Sequence, residues 1–354
     1  MFLTQSLNED RSCSKAVNDL IIQQQRQNNR LKISPNTGAY CLARKKTPLA
    51  LVNQLATKIA ELVHEKTPDD WLWKGRRIRL IDGTTLTMPD TPENQQKFPQ
   101  QSSQKPGLGF PICRVLAVSC LSSGVILNAA ISPLKGKGSD EQTLLREVLD
   151  TFKQGDIVMG DAFFGTYFLL AQMIRRGIDV LFEQLGARKL STDFGKGIAL
   201  GKKDHLVAIP KSKRKPDWME QKAFDELPEE IIIRECKVGK KILITTMLCV
   251  KSHPKKALQN LYKKRWNIEI DFRHIKTTLG MNILSCKTPE MCEKEIWIYF
   301  LANNLLRLLI AQSAIIYDLK PRQISFKHAL QILNTYLLLE QQIDENMLAL
   351  IAKM

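Results

Sequence analysis

The sequence predicts an α/β fold: a mixed sheet flanked by helices, with a β-rich insertion ahead of a final helical stretch. Three observations predict it. Residues 76–183 carry strand-like and helix-like runs in the order βββαβαβ, and the parallel pairs in such an order need right-handed crossovers. Residues 188–250 change texture, with frequent Gly and Lys and short apolar runs separated by polar loops. From 254 the chain reads as helical, apart from turns near Gly280, Pro289 and Pro321. At 354 residues it has material for a large core and two or three structural units. The expected segments are 1–66, 67–187, 188–250 and 251–354.

The elements follow in order. Segment 1–66 reads as helical, with a turn at 34–38 and a helical apolar pattern through Leu49, Val52, Leu55, Ile59 and Leu62. The cluster Arg44, Lys45, Lys46 beside that turn suits either DNA contact or a solvated face. Residues 76–80 alternate charged and apolar side chains before Ile81, Asp82 and Gly83, and so predict a strand ending at Asp82. Runs 115–121 and 125–131, split by Ser122, Ser123 and Gly124, predict a hairpin. Ser139 with Gln142 three residues on predicts a capping-box start to a helix running to about Phe152. A short buried strand at 157–159 delivers Gly160 and Asp161, a helix follows at 167–176, and 179–183 is the next strand. In the insertion, 205–209, 231–237 and 241–250 read as strands, the last two joined by a turn at 238–240. Four of the five residues at 211–215 are basic, which suits a DNA-facing loop or a solvated one.

Lys and Arg number 52 against 36 Asp and Glu, a formal net charge of +16. Such a field favours polyanions, nucleic acid first. The N-terminus lacks a charged-then-apolar signal pattern, and the apolar run 296–317 is interrupted by Asn303, Asn304 and Arg307. It reads as a helix buried against a core, so no membrane association is expected, and a cytoplasmic location is. The eight cysteines are scattered with no C-x2-C pair. Cys286, Cys292 and His274 as a metal site is the weaker reading and structural thiols the stronger. Gly-Lys-Gly-Ser at 136–139 lacks phosphate-loop spacing, which removes nucleotide triphosphate binding.

Residues 262–276, YKKRWNIEIDFRHIK, set Tyr262, Arg265, Glu269 and Lys276 in the spacing Y-x2-R-x3-E-x6-K. On an ideal helix these four side chains fall within about a 60° arc. A carboxylate that can hold a divalent cation then shares a stripe with two cations able to clamp phosphate. An isolated helix of this kind reads equally as a solvated one with an Arg265–Glu269 pair. Two upstream acids change the balance. Asp82 lies in LIDGTTLTMPD and Asp161 in IVMGDAFFGTY, each after an apolar strand and before small residues. An ionised Asp there is costly unless paired or bound to a cation. If the two strands are neighbours, a helix can lay Glu269 across both, and three carboxylates can hold two divalent cations about 3.5–4 Å apart.

With these residues assembled, the chain resembles the DDE transposases of bacterial insertion sequences that carry the Y-x2-R-x3-E-x6-K signature, the insertion-sequence-four-like group. The resemblance includes D-G-T-T around Asp82, G-D-A-x-F-x-x-Y from Gly160, KEIWIYFLANNLLR at 294–307 and AYCLARKKTPLA at 39–50. It implies a ribonuclease-H-like sheet with the insertion between the second Asp and the Glu, and the 108 positions from Asp161 to Glu269 leave room for one. It implies Asp82, Asp161 and Glu269 as catalytic ligands of Mg2+, with Mn2+ as substitute. Tyr262, Arg265 and Lys276 would contact DNA near the scissile phosphate. The insertion's Trp218 would be the candidate to stack on a flipped base, with a plain hydrophobic contact as the competing reading. The implied reaction is cleavage at transposon ends and strand transfer into target DNA by a homodimer on paired ends, with segment 1–66 binding the ends. The alternatives are a nuclease of the same fold without strand transfer, and a non-catalytic DNA-binding copy.

Overall fold

The computed structural model describes residues 1–8, 10–26, 33–105, 107–339 and 341–353. Of the N-terminal segment, residues 9 and 27–32 therefore lie outside the described ones. The described strands are β1 (Ile78–Thr87), β2 (Ile112–Cys120), β3 (Ile126–Pro133), β4 (Ile157–Met159), β5 (Asp179–Glu183), β6 (Ile198–Gly201), β7 (Asp204–Pro210), β8 (Glu230–Val238) and β9 (Lys241–Thr245). They form one nine-stranded sheet in the order β3-β2-β1-β4-β5-β9-β8-β7-β6. β1, β2 and β3 are antiparallel, and β4 and β5 run parallel to β1. That five-strand core has the ribonuclease-H-like arrangement.

The insertion does not stand apart from this core. β9 pairs antiparallel with β5, Thr245 opposite Leu181, and β8, β7 and β6 continue outward. The free edge of β5 carries backbone donors and acceptors that must be paired, and β9 supplies the partners.

The helices are α1 (Phe2–Leu7), α2 (Cys13–Arg26), α3 (Gly38–Lys46), α4 (Leu49–Glu65), α5 (Pro92–Lys97), α6 (Glu141–Glu147), α7 (Tyr167–Arg175), α8 (Gly186–Ser191), α9 (Gln221–Asp225), α10 (Lys255–Lys263), α11 (Asn267–Arg273), α12 (Pro289–Ile316), α13 (Phe326–Leu338) and α14 (Glu345–Ala352). They cover both sheet faces. The period of two along each strand sends Leu80, Ala117, Met159 and Leu181 into one core, with α4, α10, α11 and α12. It sends Ile81, Val118, Val158 and Phe182 into the other, with α6, α7 and the insertion's Ile231, Ile233 and Ile244. The apolar run lies in α12 as far as Ile316, and an 18-residue apolar window of that helix is 78% buried in this protein. Each fully buried side chain there, such as Phe300 or Ile310, contributes roughly 1.5–3 kcal/mol. Its polar interruptions have partners: Asn304 accepts from the Ile126 amide at 2.8 Å and donates to the Ala56 carbonyl at 2.9 Å, tying β3 and α4 to α12.

Several local expectations change. The strand expected to end at Asp82 runs on to Thr87, because β2 pairs with it as far as the Thr87–Ile112 pair. The cap of α6 is Asp140, whose carboxylate accepts from the Thr143 amide at 3.1 Å, while Ser139 donates to the Gly136 carbonyl at 2.8 Å. α6 stops at Glu147, and a 3-10 turn at Leu149–Thr151 covers the rest of the expected helix. β9 ends at Thr245, short of 250, where the Thr245 hydroxyl turns back to the Val180 carbonyl at 2.6 Å. The expected regular helix through 262–276 is α10, a 3-10 turn at Lys264–Trp266, α11 and a π turn at His274–Thr278.

Candidate active site

β1 outruns its parallel neighbour. The last β1–β4 pair is Leu80 with Met159, so from Ile81 to Leu86 β1 is paired only with β2 among the described residues, before Thr87 bridges to Ile283. Asp82 projects beside the notch this leaves. Asp161 leaves the chain two residues after β4 ends. Its carboxylate accepts from the Phe163 amide at 2.8 Å, and that of Asp82 from the Gly83 amide at 2.9 Å.

The α10–α11 segment lies across the notch. Tyr262, 7% exposed, donates its hydroxyl to the Gly160 carbonyl at 3.2 Å, next to Asp161. One Arg265 nitrogen donates to Glu269 at 2.7 Å, and another lies 3.7 Å from an Asp82 oxygen. Lys276, in the π turn, donates to the Thr84 hydroxyl at 3.1 Å and the Thr85 carbonyl at 3.0 Å. Three of the four signature side chains therefore contact β1 or the turn after β4, and Glu269 is joined to them through Arg265, although the helix carrying them is not regular. The π turn is a known way of re-aiming one turn of a helix at a functional site.

The electrostatics show acids close together. Burial pushes the Asp82 carboxyl up to about 6, with the Gly83 amide and Arg265 opposing and Asp161 and Glu269 adding to the rise. Burial lowers Arg265, but Tyr262, Glu269 and Asp82 outweigh it and the guanidinium is held more firmly charged. Lys276 is lowered by burial alone. Glu141 also stands here, and its pKa is raised by burial and then by Asp82. The sequence reading missed it; the available signal was an acid directly after the Asp140 cap.

Among the described residues, no three His, Cys, Asp or Glu side chains already stand as a metal cage. Arg265 bridges Asp82 and Glu269 and holds a positive charge between them. The donors themselves are all carboxylate oxygens, half-buried and short of positive charge, which fits hard divalent cations such as Mg2+ or Mn2+. Asp82, Asp161 and Glu269 are the residues that would hold them.

Against this geometry, residues 73–305 match the model of a family described as the transposase DDE domain. The chain belongs to the DDE transposases. It is 28% identical over 308 residues to the transposase InsG for insertion sequence element IS4 of Escherichia coli K12, covering 85% of this chain and 67% of that one. It is also 28% identical over 106 residues to the putative transposase InsZ of the same organism, covering 30% of this chain and 34% of that one. The chain thus spans about two thirds of the first relative and one third of the second. A cryo-EM structure of a piggyBac transposase synaptic complex with hairpin DNA is similar at a TM-score of 0.46 and 9% identity, over 99% of this chain and 74% of that one.

The remaining candidates of this transposase separate. Trp218 is 44% exposed, with the Arg146 guanidinium 4.0 Å over its ring and Phe168 edge-on at 6.1 Å. Arg146 sits on α6, the helix that brings Glu141 to the site, so Trp218 lies along the same flank. In the 44–46 cluster, Arg44 turns inward over the Phe2 ring at 4.0 Å, while Lys45 and Lys46 are exposed. In the 211–215 loop, Lys211 and Lys215 are tied to the Leu227 and Met219 carbonyls, leaving Lys213 and Arg214 outward. Cys286, Cys292 and His274 do not gather: the Cys292 thiol bonds the Cys286 carbonyl, and His274 stacks on Phe326.

Proposed function

We propose that this DDE transposase cleaves phosphodiester bonds at the ends of a mobile DNA element and joins them to target DNA, using divalent cations held by Asp82, Asp161 and Glu269. What supports the reading is the Arg265 guanidinium bonded to Glu269 and 3.7 Å from Asp82, with Tyr262 tied to the Gly160 carbonyl beside Asp161 and the Asp82 carboxyl raised by burial and then by Asp161 and Glu269. The net charge of +16 supplies attraction for DNA. Mg2+ or Mn2+ bound there would neutralise charge on the attacked phosphate and make a water or a 3′-hydroxyl a better nucleophile.

The protein's own groups do the rest. Tyr262 holds the Asp161 turn against the helix through the Gly160 carbonyl. Arg265 holds Asp82 and Glu269 together and would offer its planar fork to phosphate oxygens. Lys276 anchors β1 at Thr84 and Thr85 and faces the DNA backbone beside it. Trp218, with Arg146 against its ring, would be the residue to stack on an unpaired base. The working assembly is a homodimer on paired ends, in the cytoplasm, with segment 1–66 contributing to end binding.

The test uses end DNA carrying the element's terminal sequence. Asp82→Asn, Asp161→Asn and Glu269→Gln should each reduce Mg2+- or Mn2+-dependent cleavage to background while end binding persists. Ca2+ should support binding with little cleavage, because its loose coordination positions an attacking oxygen poorly. Any one variant that cleaves near the wild-type rate removes that residue from the site. Nicked product without joined product would reassign the protein as a nuclease, and binding without nicking as a non-catalytic copy.

A further inference from the structure

A cavity of about 520 Å3 lies between the N-terminal helices α1–α3, the segment 285–288 and the first turns of α12. It has a surplus of hydrogen-bond donors. Arg11 and Arg44 both line it, and neither has a carboxylate partner among the described residues. Arg11 uses one terminal nitrogen, which donates to the Gly280 carbonyl at 2.6 Å. The two terminal nitrogens of Arg44 reach only the thiols of Cys13 and Cys286, at 3.2 and 3.1 Å, and thiol sulfur is a weak acceptor. The Nε atoms of both arginines are buried without an acceptor. Tyr299, fully buried and also in the lining, has a hydroxyl with no hydrogen-bond partner. The Arg11 guanidinium lies 6.0 Å from the centre of its ring without reaching hydrogen-bond geometry. Glu295 is the one acid in the lining, and its oxygens already accept from the Ser285 and Cys286 amides at 2.9–3.0 Å. Lys45 and Lys287 are exposed at the rim.

A buried donor without an acceptor is destabilising, and such atoms are rare in a closed interior. Three of them in the wall of one cavity call for a ligand rich in acceptors. Four cations against one satisfied acid call for more than a single negative charge. A phosphate ester supplies both, and its oxygens match the guanidinium fork. The volume is that of a small-molecule site and well beyond a bare ion. Phe2 and Met291 give the cavity an apolar wall, and the Arg44 guanidinium lies 4.0 Å over the Phe2 ring, a surface of the kind on which bases stack.

We propose that this cavity binds a nucleoside phosphate, its phosphate taken by Arg11 and Arg44 with Tyr299 as a further donor, and its base lying against Phe2 and Met291. A free nucleotide and one nucleotide of a DNA strand present this same chemistry. Nothing in the site depends on Asp82, Asp161 and Glu269 holding cations, so binding here can fail while end cleavage stands.

The test is calorimetric titration of the intact, DNA-free protein with deoxyadenosine monophosphate, a short single-stranded oligonucleotide and inorganic phosphate. A nucleotide probe should bind, and Arg11→Gln or Arg44→Gln should weaken it about tenfold or more, as for loss of a hydrogen bond to a charged group. Lys46→Gln removes an exposed charge from α3 outside the cavity and should have a much smaller effect. Met291→Trp fills the cavity, keeps every donor and should act like the arginine variants. Tyr299→Phe removes a hydroxyl that has no partner, so the thermal midpoint of the free protein should hold while its rise with nucleotide shrinks. Binding of the mononucleotide that the variants weaken supports a free nucleotide, and binding of the oligonucleotide alone supports a DNA strand. Inorganic phosphate binding as tightly as either would reduce the cavity to an anion site and overturn the nucleotide. No binding of either nucleotide probe, or binding unchanged by Arg44→Gln and Met291→Trp, overturns the site and leaves the cavity to water. If the arginine variants do not fold, Tyr299→Phe and Met291→Trp decide.

Discussion

Glu269 and Asp271 sit two residues apart on α11 and live in opposite electrostatic regimes. Asp271 is fully buried and over-supplied with partners. Arg307 donates to it at 3.0 Å, Arg322 at 2.5 and 2.9 Å, and the Ser119 hydroxyl at 3.1 Å. Arg322 also reaches the Cys120 and Leu121 carbonyls, so this knot locks α11 to β2 and to the α12 end of the molecule. Glu269 has one cation, Arg265, shared with Asp82, and its side chain is 31% exposed. One acid has its charge fully matched and fixes where the helix lies. The other is left short of positive charge at the position the first one fixes. Placing a matched, buried acid beside an accessible, less fully matched one gives a rigid anchor and an available negative charge from neighbouring turns.

The largest effect should come from breaking the knot. Asp271→Ala leaves Arg307 and Arg322 without their carboxylate, and removing one partner of a buried ion pair costs about 3–5 kcal/mol. Urea unfolding should show a decrease of that size, and a decrease under about 1 kcal/mol would mean the knot does not anchor α11. Arg265→Ala makes the sharper contrast. Its pairs are partly exposed, so unfolding should show about 1 kcal/mol or less, whereas cleavage of end DNA should fall strongly. Equal destabilisation by the two variants would erase the distinction between the two acids.

Acid should act on the knot's rim. His274 contacts Arg307 at 3.0 Å, and burial followed by Arg307 and then Arg322 and Arg273 lowers it to about 4, with Asp271 opposing. Below its ordinary value near 6.5 the unfolded chain takes a proton that the folded one refuses. The stability it contributes is therefore whole above pH 6.5 and is lost as pH falls towards 4. Denaturation midpoints of His274→Gln should depend less on pH across that window. A residual slope is expected from His64, which burial, Arg79 and Arg77 also lower to about 4. An unchanged slope in His274→Gln would place the acid sensitivity elsewhere. The smallest effect is on DNA affinity: Lys276→Ala should reduce the salt dependence of end binding by about one unit, as expected when one phosphate is no longer neutralised. An unchanged slope would leave Lys276 as a brace for β1 only.

Much of the fold was legible. β4 and β5 begin and end where the reading put them because glycines bracket them, with Gly155 and Gly177 at positive φ. The overrun of β1 was not legible. Residues 83–87 are Gly and Thr with one Leu, and only pairing with β2 makes them strand. The signature residues were found by spacing on an ideal helix, yet a 3-10 turn and a π turn intervene, and the four side chains meet the site through local rewinding. Arg307 was read only as an interruption of an apolar run. Its role depends on Gly124, at φ 78°, where a Cβ would lie 2.8 Å from the guanidinium carbon.

Order along the chain was enough to establish the alternation that builds the sheet, the family signature on 262–276 and the excess of positive charge. These are properties of neighbours in sequence, and periodicity and composition record them directly. Folding selected which acids share a field. Asp82, Asp161, Glu269 and Glu141 are distant in sequence, and their mutual repulsion exists only once β1, β4, α11 and α6 converge. Folding also set Asp271 to be neutralised and Glu269 not to be. Coulomb interactions depend on separation and burial, and a linear sequence specifies neither until the chain is folded.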